Sequence, residues 1–250
     1  TLYSRNALFS GLFPSELASR FPDYWQEGVA DETSTNRYER QLLQRKIQDE
    51  GLQLKPKLRY FKIFDAKGGN EFIKQASTFD RITLSALVVS FIDILTHQRS
   101  QSDLLQQIAP DEAALCSLVK SWFMHSIFFE ILKTIATQDA IVVLTSDHGS
   151  VLCNRPTPAF GNRETSTSLR FKTGTNLGCD RDQTIYIDDP QTYKLPAGSS
   201  SKNYIIAKDD YYFVYPNQFN EYTRQFRGGF QHGGVSPGEL IIPIATMIPR

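Results

Sequence analysis

"VVLTSDHGS", residues 142–150, decides how the chain is read. Val142 to Leu144 is an apolar run of strand type that ends abruptly in an acid, an imidazole and a glycine: Asp147, His148 and Gly149. A plain strand exit more often uses Asn, Asp, Gly or Pro without a histidine. A carboxylate beside a neutral imidazole offers one oxygen and one nitrogen, which suit zinc or another first-row divalent ion. Loops at the carboxyl ends of parallel strands are where open α/β sheets place ligands.

Helices and strands alternate on both sides of this stretch. Residues 1–12 read as a helix ending near Gly11, with Pro14 beyond it. Asn36 with Glu39 three residues later forms a capping-box pattern, followed by Leu42, Leu43 and Ile47 at helical spacing and a stop at Gly51. Residues 58–64 are strand-like, 72–76 a short helix, and 83–91 a strongly apolar strand. Residues 112–137 are helical with a break expected near 117–121, and 141–145 form the next buried strand. Near-continuous apolar strands between helices predict an α/β fold whose central, mostly parallel sheet is flanked by helices on both faces.

After residue 150 the character changes. Gly, Thr, Asn and Ser become frequent, and short alternating strands are predicted at 168–172, 184–187, 203–207 and 211–215. The last two flank Lys208, Asp209 and Asp210, which reads as a hairpin. A final apolar strand over 240–248 carries Pro243, a mark of an edge or bulge. The expected organisation is one domain over 1–250 with a mainly β insertion at about 151–228. Ser199 to Ser201 is expected to be a mobile loop.

Lys plus Arg equals Asp plus Glu, 27 of each, so no global positive field argues for duplex DNA or an anionic membrane. No apolar run reaches the roughly 18 to 20 residues that span a bilayer, and no membrane insertion is expected. Cys116, Cys153 and Cys179 are odd in number and lack metal spacing, which reads as reduced thiols in a cytoplasmic protein. There is no initiator Met and no signal peptide, so the chain reads as a piece of something longer.

Three of the four histidines sit at similar places. "VVSFIDILTHQRS" (88–100) puts Asp93 and His97 four residues apart, on one face if the chain turns helical there. "TSDHG" (145–149) adds Asp147 and His148, and "FQHGGVSPGELIIP" (230–243) adds His232 before two glycines. Each piece alone has a plainer reading: a surface pair, a helix cap, a tight turn. Together, at three strand ends, they point to a metal site. His125, in "SWFMHSIFFEIL" (121–132), reads instead as a structural histidine packed beside Trp122.

D-x-x-x-H, then T-S-D-H-G, then a late H-G-G, in that order, resembles the alkaline phosphatase superfamily. The nearer resemblance is to PglZ domains, as in PorX-type response regulators of the type IX secretion system. It is carried end to end by "YSRNALFSGLFP" (3–14), "VVSFIDILTHQRS" (88–100), "SWFMHSIFFEILK" (121–133), "TSDHGS" (145–150), "TSTSLRFKTGTNL" (165–177) and "FQHGGVSPGELIIPIATMIPR" (230–250).

The resemblance implies two zinc ions and roles for individual residues. Thr1 looks like the nucleophile, at a helix N-terminus that favours an alkoxide and an incoming phosphate. Asp93, His97 and His232 look like the ligands of one zinc. Asp147 and His148 look like ligands of the other, together with Thr1 and an aspartate from a first strand that the chain as given lacks. Lys172 and Arg170, in "SLRFKTG" (168–174), are candidates for holding substrate phosphates, with solvated strand charges as the alternative.

The implied activity is a zinc-dependent phosphodiesterase acting on nucleotides or oligonucleotides through a covalent phosphothreonine. The implied setting is the output domain of a two-component response regulator, its receiver domain lying upstream of this chain. Partners expected from that setting are two-component signalling proteins, with a homodimer also open. Two alternatives remain: a phosphomonoesterase or sulfatase of the same superfamily, and a non-catalytic regulatory binding module with a structural metal site.

Overall fold

Apolar runs become short strands and their polar partners become caps and turns in a computed structural model. It describes residues 2–25, 36–55, 58–76, 79–100, 102–162, 165–166, 168–198 and 202–249. Thr1 and the expected loop at Ser199 to Ser201 lie outside the described residues. The chain divides into two units, Thr1–Glu50 with Ser146–Ile242, and Gly51–Thr145 with Pro243–Arg250.

The first unit begins with helices Leu2–Ser10, Pro14–Arg20 and Glu39–Asp49. The first ends before Gly11 and Pro14, as the sequence predicts. The expected capping box at Asn36 does not form. Tyr38 stands at the cap without a side-chain hydrogen bond, and Glu39, inside the helix, is drawn into a buried ion pair with Arg5. A charge pair between two helices has displaced a local cap.

The rest of this unit is mainly β. Phe171–Thr175, Lys202–Ala207 and Thr184–Ile187 form an antiparallel sheet with the middle strand shared. Tyr211–Val214 runs parallel to Arg155–Phe160, which pairs antiparallel with Gly178–Cys179. Gly229–Gln231 pairs with Val151–Cys153. Phe213 joins a core with Ile205, Ala207, Leu177 and Ala159, while its neighbours Tyr212 and Val214 pack with Cys153. Alternating residues of one strand thus bury both of its faces.

The predicted hairpin across Lys208 to Asp210 is not formed. Lys202–Ala207 and Tyr211–Val214 belong to different sheets, because the buried guanidinium of Arg170 occupies the turn between them. It donates to the carbonyls of Lys208 and Asp209 at 3.3 and 2.7 Å, and also to that of Tyr211.

In the second unit Arg59–Ile63 and Ser85–Val89 form a parallel pair, joined through helix Ala66–Ala76. That helix is longer than predicted, since Asp65 accepts the Gly68 amide at 2.8 Å and starts it six residues early. Phe72, Ile63, Phe79 and Ile131 form the core here. The expected break near 117–121 falls later: helices Glu112–His125 and Ile127–Ile135 are bent by 57°, and Ser126 caps the second. Among the described residues no single helix is long and apolar enough to cross a membrane.

The last strand is shorter than predicted. Pro237–Leu240 forms a helical turn, and only Ile244–Met247 pairs, antiparallel, with Val142–Thr145. The carbonyl of Pro243 accepts from the Thr145 hydroxyl at 2.9 Å just before the ladder begins. The strand pairs described in this unit are one parallel and one antiparallel, and a continuous central sheet is not among them.

Candidate functional site

The D-H-G stretch and the H-G-G-V-S-P-G-E-L stretch meet within the first unit. The amide of Gly149 donates to the carbonyl of Glu239 at 2.9 Å. A Cβ on Gly149 would lie 2.0 Å from the carbonyl oxygen of Gly238, so this approach of two backbones requires glycine. The contact holds Asp147 and His148 beside His232.

The imidazoles of His148 and His232 are stacked, with centroids 4.1 Å apart and planes 17° from parallel. Nε2 of His148 lies 3.5 Å from Oδ2 of Asp147. Nδ1 of His148 lies 3.0 Å from the carbonyl oxygen of Gly149, a contact that only a protonated Nδ1 satisfies. In the neutral ring that tautomer leaves Nε2 as a lone-pair donor on the side of Asp147. His148 thus stands against both Asp147 and His232, and imidazole with carboxylate is a set of residue types that suits zinc. The hydroxyl of Ser4, in the first turn of helix Leu2–Ser10, is 3.5 Å from the same carboxylate oxygen. The N-terminal turn of that helix therefore sits at Asp147.

Asp93 and His97 lie on helix Phe91–Arg99 of the second unit, with Ser90 at its N-cap position. Their side chains share a face as predicted, Nε2 of His97 being 3.6 Å from Oδ1 of Asp93. His125 is exposed rather than packed beside Trp122. Its Nδ1 meets the carbonyl of Ser121 at 2.8 Å, and Trp122 stacks on Phe91 instead, with ring centroids 3.7 Å apart.

Arg170 and Lys172, the candidates for holding phosphate, are both buried and hydrogen-bonded within the protein. Arg170 is fully buried. Its Nε and Nη2 donate to the two oxygens of Glu239 at 2.9 and 2.6 Å, and its remaining donors go to the turn carbonyls of residues 208, 209 and 211. All five N–H groups are committed within the protein. Lys172 is 1% exposed and donates to the Ser166 carbonyl at 3.0 Å and the Tyr215 hydroxyl at 3.4 Å. Burial pulls its ammonium down to about 8.

Glu239 is the residue that the sequence reading missed. Its carboxylate also accepts from the Gly234 amide at 2.8 Å and from the amide and hydroxyl of Ser236 at 3.0 and 2.7 Å. Burial raises its pKa, but the hydrogen bonds from Arg170 and Ser236 and the Arg170 charge outweigh that and hold it below the ordinary value. Ser236 with Glu239 three residues later is a capping box, a signal present in "SPGE". The late motif is thus a clamp: its glutamate ties the loop after His232 to Arg170.

A cavity of about 320 Å³ opens beside the histidines. Asp147, His148 and His232 line it together with Tyr3, Phe171, Tyr204 and Ile206. The site is therefore half ligating and half apolar, a combination suited to an anionic group that carries an organic substituent.

No curated protein matches the chain. Two solved structures of phosphonoacetate hydrolase from Sinorhizobium meliloti 1021, one in complex with phosphonoformate and one with phosphonoacetate, resemble it at 13% identity and a TM-score of 0.42. The likeness covers 73% of this chain and 50% of theirs, so the chain spans half their length. A family model matches residues 1–247, nearly the whole chain, including every residue singled out above. By that match the chain belongs to the family of BREX system PglZ alkaline phosphatase-like domains.

Proposed function

We propose that this chain is a zinc-dependent phosphodiesterase that acts on nucleotides or oligonucleotides, with Thr1 as nucleophile. Family membership supports a hydrolase of phosphoric esters. The observation that carries the finer reading is His148 set against both Asp147 and His232, with Ser4 of the first turn of helix Leu2–Ser10 at Asp147. The same reading assigns Asp93, His97 and His232 to one zinc and Asp147 and His148, with Thr1, to a second. It also joins the two strand pairs of the second unit into one mostly parallel central sheet, with 151–228 as the insertion. Resemblance to PorX-type domains supports a response-regulator output role in type IX secretion.

Zinc bound here supplies a Lewis acid that takes up charge on the phosphoryl oxygens and lowers the pKa of an approaching hydroxyl. The chain's own residues do the rest. His148, fixed through Nδ1–H to Gly149, keeps Nε2 aimed at the site, and Asp147 presents its oxygen beside it. The Thr1 hydroxyl attacks phosphorus and loses its proton, and the bond from phosphorus to the leaving oxygen breaks. Water then cleaves the phosphothreonine and regenerates the hydroxyl. Helix amides at the N-terminus favour the negative charge throughout.

The test is turnover of matched diester, monoester and sulfate model substrates by the full-length protein, before and after chelation, with elemental analysis of each sample. Diester turnover lost on chelation and restored by zinc is expected. His148→Ala and His232→Ala should lower zinc content, whereas His125→Ala should not. Faster turnover of monoester or sulfate would replace this reading with its superfamily alternatives. Bound zinc without any turnover would leave a binding module.

A further inference from the structure

Aromatic and aliphatic side chains line the cavity together with the histidines and could seat a flat apolar group. Phe171 projects from the edge of its sheet, and its ring meets that of Tyr3 edge-to-face with centroids 5.8 Å apart. Tyr3 is held in turn against Trp25, at 5.5 Å between centroids. Gly233 follows His232 directly and has φ +102°, and a Cβ there would lie 2.9 Å from Cδ1 of Phe171. The turn that follows His232 therefore passes close to the Phe171 ring and leaves no room there for a side chain. Ile206 and Tyr204 continue the wall.

Two polar groups on this wall are engaged within the protein. The Tyr204 hydroxyl donates to the Pro196 carbonyl at 2.8 Å, and the Gly234 amide donates to Glu239. A substituent entering here meets the Phe171 and Tyr3 rings and the Ile206 side chain. At about 320 Å³ the cavity stands at the small end of ligand sites, room for one ring system and the phosphoryl group but not for a stacked pair.

We infer that this wall, centred on Phe171 and Tyr3, is a subsite for one planar ring carried by an organic group of the ester. It rests on the phosphoester reading above and adds two things to it. Aryl or heteroaryl esters are preferred over alkyl esters, and recognition is by ring contact, indifferent to which base the ring is. Stacking of this kind tolerates any base because each has a π-face.

Binding of phenylphosphonate and methylphosphonate, which are not hydrolysed, tests this by calorimetry on the full-length metal-loaded protein. Phenylphosphonate should bind about tenfold more tightly or better, as expected for a single ring contact. Phe171→Leu keeps bulk without the ring and should reduce that preference to near unity, the ratio of the two affinities being the readout. Measurable methylphosphonate binding also shows that the variant is folded. Equal binding of the two phosphonates, no binding of either, or a preference that survives Phe171→Leu would overturn the inference. Because the readout is binding, a protein that shows the ring preference but turns over no diester would sink the catalytic reading alone.

Discussion

Arg170 and Glu239 form a buried, two-pronged ion pair, Nε to Oε1 at 2.9 Å and Nη2 to Oε2 at 2.6 Å. The pair joins a strand edge to the loop that carries His232, and its spare hydrogen-bonding capacity is spent on the 208–211 turn and on Ser236 and Gly234. Two charges out of water are tolerable only when so fully satisfied.

Breaking that pair from one side should therefore be severe. Glu239→Gln leaves the guanidinium buried against a neutral amide and is expected to lower stability by about 3–5 kcal/mol, read as a shifted urea midpoint. Arg170→Lys, which cannot span both oxygens, should behave similarly. A phosphate-binding Arg170 predicts the opposite pattern, normal stability with weakened substrate binding. Unchanged stability in both variants would refute the clamp.

Lys172 makes stability depend on pH in a definite direction. Its folded value is about 8 against an ordinary 10.5, because burial disfavours the charged form. As pH rises above 8 the folded chain sheds this proton while the unfolded chain keeps it, so the unfolded state binds more protons and stability rises. Cys153, pushed up to about 12 by burial, acts in the reverse sense above its ordinary 9.0. The clean window is thus pH 8 to 9, where a gain of about 1 kcal/mol is expected. Lys172→Met should abolish the gain. Equal slopes in the two proteins would show that Lys172 does not titrate there.

What the sequence disclosed was local, and what it hid was long-range. Asp93 and His97 could be placed on one helix face because four-residue spacing fixes that geometry wherever a helix forms. Ser126 as the break between two helices was equally local, yet it was misplaced among the serines at 117–121; its cap to Phe129 is what distinguishes it. The 208–210 hairpin failed for a different reason. Its residues suit a turn, but Arg170 takes the turn's carbonyls, and no pattern within the turn announces a guanidinium arriving from elsewhere. The same arginine concealed its pairing with Glu239, since in a polar strand it read as a phosphate-holding or a solvated charge. Glu239 was legible in part, through the S-x-x-E capping box, although its partner was not.

Gly149 is predicted to matter as much as the residues beside it. Gly149→Ala puts a methyl where the Gly238 carbonyl stands, and backbone cannot yield as a flexible side chain can. The D-H-G loop should move off its anchor, at a cost of about 1–3 kcal/mol, and zinc content should fall although no ligand has changed. Elemental analysis and a melt on one sample measure both. Retention of full metal content would show that the loop is not held by this contact.

Thr1 lies outside the described residues, so its assignment rests on the family resemblance and on Ser4, whose hydroxyl is 3.5 Å from Asp147. Thr1→Val keeps the β-branched shape and removes only the hydroxyl. Folding and zinc content should survive, while diester turnover falls by orders of magnitude, because water attacking directly lacks the covalent route. If Thr1 is merely a helix cap, the same change costs about 1 kcal/mol of stability and leaves turnover near normal. Thr1→Ser separates the two further: it retains a hydroxyl and should retain measurable turnover with the same zinc content. A Thr1→Val protein as active as the parent would end the nucleophile assignment, and the metal-site reading would then have to stand on Asp147, His148 and His232 alone.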